Sequence, residues 1–324
     1  MTEQHSSTAP SVAAFGPPSF TLSLDCEGKW GVADSTAPWM NWITRQALDE
    51  AYDFIFSTLA RHEVRATFAF TSLFAAPEDL ARDKLRQIES SELMAHGWYR
   101  DVVTRSQADK QDGWRGHHYL VRAQQDGHEI GWHGFTHHLL APHVGEAIAN
   151  FEFDQAAQLS ALQGIRYASA VYPRNAVGHV DKLDRLGIRY YRRSAMAPGS
   201  GSVLGSLRRI ASECDVTGSM GLDTRTEVSE GRVGLPPGNF LYWPLGLRGM
   251  IPSFVTSRRW QSMLERSSRN GSDVHMWFHP HNLITAPAMR RTFDNVICAV
   301  GQLQRHGRLQ SRTMLDIGKR YDRE

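Results

Sequence analysis

The sequence predicts an α/β fold, a barrel of parallel strands joined through helices with its chemistry at the carboxyl ends of the strands. Two observations carry this: short apolar runs alternate with longer amphipathic stretches, and the reactive polar residues stand where the apolar runs stop. The runs Phe20–Leu24, Val64–Phe70, Glu129–Trp132, Ala168–Tyr172, Ile188–Tyr191 and Val274–Phe278 read as buried strands. Between them, Trp42 to Leu59, Gly145 to Leu162 and Ala288 to Leu303, the last just after Pro287, place apolar residues at helical steps. Asp181–Leu186 followed by Gly187 reads as a helix stop leading into the next strand.

A barrel of this kind commonly fills about 200 to 250 residues, so the 324 residues accommodate one large domain. We assign it residues 19–310, with 1–18 a disordered tail and 311–324 a C-terminal tail. Within it, 204–250 is rich in Gly, Ser and Arg and contains Leu235-Pro236-Pro237-Gly238, which reads as loops or short strands inserted over the barrel mouth. With 41% hydrophobic and 22% charged residues the composition is that of an ordinary soluble globule. No apolar run is long enough to span a bilayer, and Met1 to Pro18 lack the pattern of a secretion signal, so the expected location is the cytoplasm. Cys26, Cys214 and Cys298 are too dispersed for a disulfide framework or a cysteine zinc site. A net charge of +2 without a concentrated basic surface argues against a nucleic-acid partner. Oligomeric state is not legible.

Four strand ends carry the chemistry. His133-Gly134-Phe135-Thr136-His137 follows one strand, and its two imidazoles can grip one divalent transition metal, zinc above all. Asp25-Cys26-Glu27 ends another; alternation along a strand points both carboxylates the same way, so one can hold metal while the other takes a proton. Arg174 follows a third strand, and His279 and His281 a fourth. Singly each has a plain structural reading: a strand-end histidine is more often hydrogen-bonded than ligating, and Asp-Cys-Glu-Gly suits a turn. Their joint placement favours a site. The His-Glu-x-x-His protease motif is absent, because the next histidine comes five residues after His128. Trp132 and Trp277 read as packing residues, and His117, His118 and His138 as surface.

These motifs resemble the polysaccharide deacetylases of carbohydrate esterase family four, the nodulation-type deacetylase domain, over roughly Phe20 to Leu283. The resemblance implies a distorted barrel of about seven strand–helix units and hydrolysis of acetyl groups on sugars. Asp25 and Glu27 match the first motif as base and metal carboxylate, His133 and His137 the histidine pair, and His279 the late histidine. The family's Arg-x-Pro, whose arginine orients the base, is here Tyr172-Pro173-Arg174-Asn175, making Arg174 the expected partner of Asp25. Two departures stand out: this chain spaces its carboxylates by one residue, and no clear match to the tryptophan-bearing motif is found. Asp215 and Asp223 are candidates for the acid that tunes His279.

The implied chemistry uses Zn2+ or another divalent transition metal on Glu27, His133 and His137, Asp25 as base and His279 as acid to the departing amine. The implied partner is an N-acetylated sugar or glycan. Three rivals are a metal-free cyclic-amide hydrolase of the same fold, such as an allantoinase, a nucleotide-sugar glycosyltransferase and a non-catalytic sugar-binding module.

Overall fold

The computed structural model describes residues 16–109, 112–194, 215–217, 225–242 and 251–322. Its frame is a curled, mostly parallel sheet built from β1 (Ser19–Cys26), β2 (Thr67–Phe70), β3 (Glu129–Trp132), β4 (Ser169–Val171), β5 (Tyr190–Arg192), β6 (Glu227–Ser229), β7 (Arg232–Leu235), β8 (Asn239–Phe240), β9 (Val274–Phe278) and β10 (Gln310–Ser311). The spatial order is β6-β7-β5-β4-β3-β2-β1-β9-β8, with β10 beside the start of β1. All pairings are parallel except the β6–β7 hairpin. This half-barrel is a distorted form of the expected barrel of seven strand–helix units.

Around the sheet run α1 (Arg45–Arg61), α2 (Glu78–Glu89), α3 (Gly97–Ala108), α4 (His117–Gln125), α5 (Glu146–Gln163), α6 (Ser253–Asn270), α7 (Asn282–Thr285), α8 (Ala288–Arg305) and α9 (Met314–Gly318). Two of the long helices have legible local boundaries. The Thr44 hydroxyl accepts from the Ala47 N–H at the start of α1, whose Leu48, Ile55 and Leu59 form the buried stripe. Gly164, in the left-handed conformation, closes α5. No helix among the described residues is long and apolar enough to cross a membrane.

β1 is the strand that matters most. It lies between β2 and β9, and all eight of its residues are buried, as expected of a strand covered on both faces. Its register sets Cys26 beside Phe70, the last residue of β2, and Leu24 beside Phe278, the last of β9, so the carboxyl ends of the three strands finish within two residues of one level. That level edge is where β1 hands over to Glu27.

The structure departs from the sequence reading in four places. Between β2 and β3 stand three helices, α2 to α4, that went unread in the sequence; each is 12 residues or shorter, and α2 is strongly charged. The strand expected at Ile188–Tyr191 runs instead over Tyr190–Arg192, which brings Arg192 into the sheet. The described part of 204–250 is more than a lid: β7 pairs with β5 and β8 with β9 as members of the sheet. Residues after 310, read as a tail, form β10 and α9, whose Met314 is fully buried. The segment 1–15, where a disordered tail was expected, lies outside the described residues.

The C-terminal helix is tied to the amino ends of the strands by one buried carboxylate. Glu129 accepts from Thr67 Oγ1 at 3.0 Å, Ser169 Oγ at 2.5 Å and the Leu315 N–H at 2.8 Å. Burial pushes its pKa up against those hydrogen bonds. Strands β2, β3 and β4 and helix α9 thus share one acceptor. Replacing Glu129 with Ala orphans two buried hydroxyl donors and a partly buried N–H and should cost about 3 kcal/mol, read as a lower urea midpoint; an unchanged midpoint would show that the clamp contributes nothing.

Candidate metal centre

Asp25 and Glu27 both emerge from the end of β1 on the site side and are buried, while Cys26 between them joins the core and bonds back to the Leu24 carbonyl. Alternation along the strand is the cause. Glu27 can lie flat because residue 31 is glycine: a Cβ there would sit 1.8 Å from Glu27 Oε1.

His133 leaves β3 with its ring already oriented. Nδ1 lies 2.7 Å from the Val171 carbonyl oxygen, which can only accept, so Nδ1 carries the hydrogen and Nε2 is turned to Glu27 Oε2 at 2.9 Å. His137 brings its own Nε2 to 2.7 Å from the same oxygen. The chain makes this return within four residues by left-handed conformations at Gly134 (φ 80°) and His137 (φ 67°). Glycine suits residue 134, and the turn is pinned where Ser72 and Leu73 donate their N–H groups to the Gly134 and Phe135 carbonyls.

The three ligand atoms of Glu27, His133 and His137 lie within 4.8 Å of one another, all from buried side chains. A neutral His133 would set a bare nitrogen lone pair against a carboxylate oxygen, which repel. A proton or a cation between the two atoms relieves this. Two imidazoles and one carboxylate are a ligand set that suits zinc and leaves coordination positions open, so the residues fit the implied metal. The electrostatics agree. Burial alone would raise the Glu27 carboxyl, yet the imidazoles of His137 and His279 hold it well below the usual range. Burial likewise opposes a charge on His133, but the hydrogen bond its ring donates to Glu27 and the negative charges of Asp25 and Glu27 lift its pKa. For His137 burial prevails and the pKa falls.

Asp25 does not receive the arginine expected for it. Arg174 turns outward, bonds Asp34 at 2.6 Å and lies over the Trp98 ring. Its backbone is left-handed (φ 56°), as is that of Asn175, which swings the side chain off the line of β4. Arg192, fully buried at the end of β5, takes the role by gripping both Asp25 oxygens at 2.9 and 2.7 Å while bonding Ser23 and Asn175. Its guanidinium also covers the half-buried Trp277 ring at 4.6 Å. Burial raises the Asp25 carboxyl, but Arg192 outweighs it and holds the pKa below the ordinary value.

His279 follows β9 with Nε2 at 4.0 Å from Asp25 and 3.7 Å from Glu27. Its tuning partner is an amide. Asn282 Oδ1 accepts the His279 backbone N–H at 3.1 Å and lies 3.1 Å from ring Nδ1, so Nδ1 carries its hydrogen and Nε2 faces the site. Of the acids proposed for this task, Asp215 is engaged with Thr217, and Asp223 lies outside the described residues. His281 stacks on His279, and burial, with the His279 charge beside it, pushes its pKa down to about 3. His138, read as a surface residue, is buried against Tyr99.

A cleft of about 260 Å³ reaches Glu27 and His279, and its wall includes Asp34, Trp39, Arg174 and Asn282. The structure therefore brings together Asp25, Glu27, His133, His137 and His279, and leaves Arg174 on the rim. Sequence reasoning missed Arg192, Asn282 and Gly31. Arg192 was within reach, since it directly follows the expected strand Ile188–Tyr191 and strand ends carry the chemistry.

No family model matches the sequence, and neither does any curated protein. Solved structures do. A polysaccharide deacetylase described as putative, from Mycobacterium smegmatis, is 14% identical, with 98% of this chain and 94% of that one covered at a TM-score of 0.58. A probable polysaccharide deacetylase from Pseudomonas aeruginosa PAO1 is 12% identical, covering 94% and 91% at 0.57. Puue allantoinase is 12% identical, covering 98% and 95% at 0.59. The chain thus has the fold of the polysaccharide deacetylases, the fold its motifs imply.

The two arginines should separate by mutation. Arg192→Ala strands a buried carboxylate and should cost about 3 to 5 kcal/mol, whereas Arg174→Ala breaks a half-exposed pair worth at most about 1 kcal/mol. Chemical denaturation of both variants checks this, and equal losses would reverse the assignment.

Proposed function

We propose that the chain is a metal-dependent hydrolase that removes an acyl group, acetyl in the first instance, from an N-acylated sugar. The observation that carries this is the convergence of Glu27 with the Nε2 atoms of His133 and His137, next to an ionised and arginine-clamped Asp25. Glu27, His133 and His137 would hold the ion. When bound, it supplies a Lewis acid that acidifies water and steadies negative charge on an acyl oxygen.

The remaining steps belong to the protein. Asp25, kept charged by Arg192, takes a proton from the attacking water as its oxygen bonds to the acyl carbon. The C–N bond then breaks, and the nitrogen needs a proton because an amine anion is a very poor leaving group. His279 can give it from Nε2, since Asn282 fixes Nδ1 as the other N–H and turns Nε2 toward Asp25 and Glu27. One water and one amide become one carboxylic acid and one amine. Base and acid are separate residues, so neither must exchange its proton before the bond breaks. Trp39 and the Asp34–Arg174 pair on the cleft wall offer an apolar face and paired donors and acceptors of the kind a sugar ring uses.

The structural likeness to an allantoinase keeps a second reading in view, a metal-free hydrolase of cyclic amides. Metal separates the two. We expect one divalent transition metal per chain, lost in the His133→Ala, His137→Ala double variant and in Glu27→Ala but retained in Asp25→Asn, which should lose about 10²- to 10⁴-fold in turnover. Elemental analysis and acetate release from N-acetylated sugars read both effects; full activity after exhaustive chelation would favour the metal-free reading.

His279→Ala should lose a similar 10²- to 10⁴-fold on an amide but about tenfold or less on an activated acetate ester, whose leaving group needs no proton. Equal losses on the two substrates would make His279 a substrate-positioning residue instead.

A further inference from the structure

A buried carboxylate that the proposed chemistry does not use stands behind the histidine turn. Glu152 lies on α5, fully buried, on the face the helix turns to the core. Apolar side chains are the rule there, and an acid buried without purpose is costly. Its contacts supply the purpose. Oε2 accepts the backbone N–H groups of Phe135 and Thr136, both at 3.1 Å. Oε1 accepts the Thr136 hydroxyl at 2.5 Å and the Tyr99 hydroxyl at 3.1 Å. Thr136 Oγ1 in turn accepts from Trp98 Nε1 at 3.0 Å.

All four donors are neutral, and among the described residues no cationic group lies within ion-pair distance of Glu152. Two of them are the main-chain N–H groups midway between His133 and His137. Phe135 and Thr136 are fully buried, and the acceptor of both N–H groups is supplied by a helix rather than by the turn itself. We propose that Glu152 is a positioning residue for the cation site, holding the 133–137 turn in the shape that brings both Nε2 atoms onto Glu27. This rests on the reading of Glu27, His133 and His137 as a cation site.

The test uses the full chain and Co2+ as probe, with affinity from competition against a chelating dye and geometry from the visible absorption of the bound ion. Glu152→Ala should bind Co2+ about 10- to 100-fold more weakly with a shifted absorption band, while circular dichroism shows it still folded. Glu152→Gln keeps an oxygen for the two backbone N–H groups, and both hydroxyls can rotate to accept from its amide, so its affinity and band should stay close to those of the unaltered protein. A folded Glu152→Ala with unaltered affinity and band overturns the proposal. So does Glu152→Gln with a loss as large as that of Glu152→Ala, which would make the negative charge and not the acceptor the operative feature. Should Glu152→Ala fail to fold, Glu152→Asp decides, because it keeps a buried carboxylate but draws it back by one methylene from the two main-chain N–H groups: weaker Co2+ binding supports the proposal and unaltered binding overturns it. His133→Ala is the control. If it binds Co2+ as tightly as the unaltered protein, the cation-site reading itself has failed, and that outcome is distinct from any result at Glu152.

Discussion

Two negative charges buried at the end of the central strand are the constraint around which this molecule is arranged. Asp25 and Glu27 have almost no access to water, and a lone carboxylate in such a place would give up its charge. The protein answers them differently. Asp25 receives a fixed cation, Arg192, bidentate and unable to lose its proton, so its charge is constant. Glu27 receives imidazoles, whose charge is conditional and whose nitrogens can trade a proton for a metal. One carboxylate is thereby locked and the other left exchangeable, which suits them to the separate roles of base and ligand proposed above.

The two ends of the barrel handle polarity in contrasting ways. At the amino ends of the strands, Glu129 is satisfied by neutral donors that fasten α9 to the sheet. At the carboxyl ends Asp25 and Glu27 meet charged or titratable groups, Arg192 and the imidazoles of His133, His137 and His279, and a cleft reaches Glu27 and His279. The first arrangement is fixed by neutral donors. The second can exchange a proton or take up a cation.

Much of this was legible in the sequence wherever a local rule sufficed. The period of two along Phe20–Leu24 put Asp25 and Glu27 on one face, and the four-residue spacing of His133 and His137 brought two imidazoles to one point. What failed needed information from elsewhere in the chain. Arg174 sits two residues after Tyr172 as the motif suggests, but consecutive left-handed residues at 174 and 175 turn it outward, and no local pattern announces such a pair. Arg192 was hidden by a boundary misplaced by little more than a residue. Asn282 could not be anticipated because an acid was sought and an amide serves. Glu152 interrupts an apolar stripe, and a buried acid on a helix looks in sequence like an ordinary surface charge until the turn it serves is seen.

Glycine at 31 and glycine at 134 do unlike jobs. Residue 134 needs a backbone that bends to positive φ, whereas residue 31 needs only an absence: the Glu27 carboxylate occupies the volume a methyl group would take. The first motif is therefore longer than its two acids suggest and reads Asp25-x-Glu27-x-x-x-Gly31. Any side chain at residue 31 would contend with the Glu27 carboxylate for that volume and displace it from the place where it meets His133 and His137. The backbone four residues past Glu27 therefore takes part in seating it.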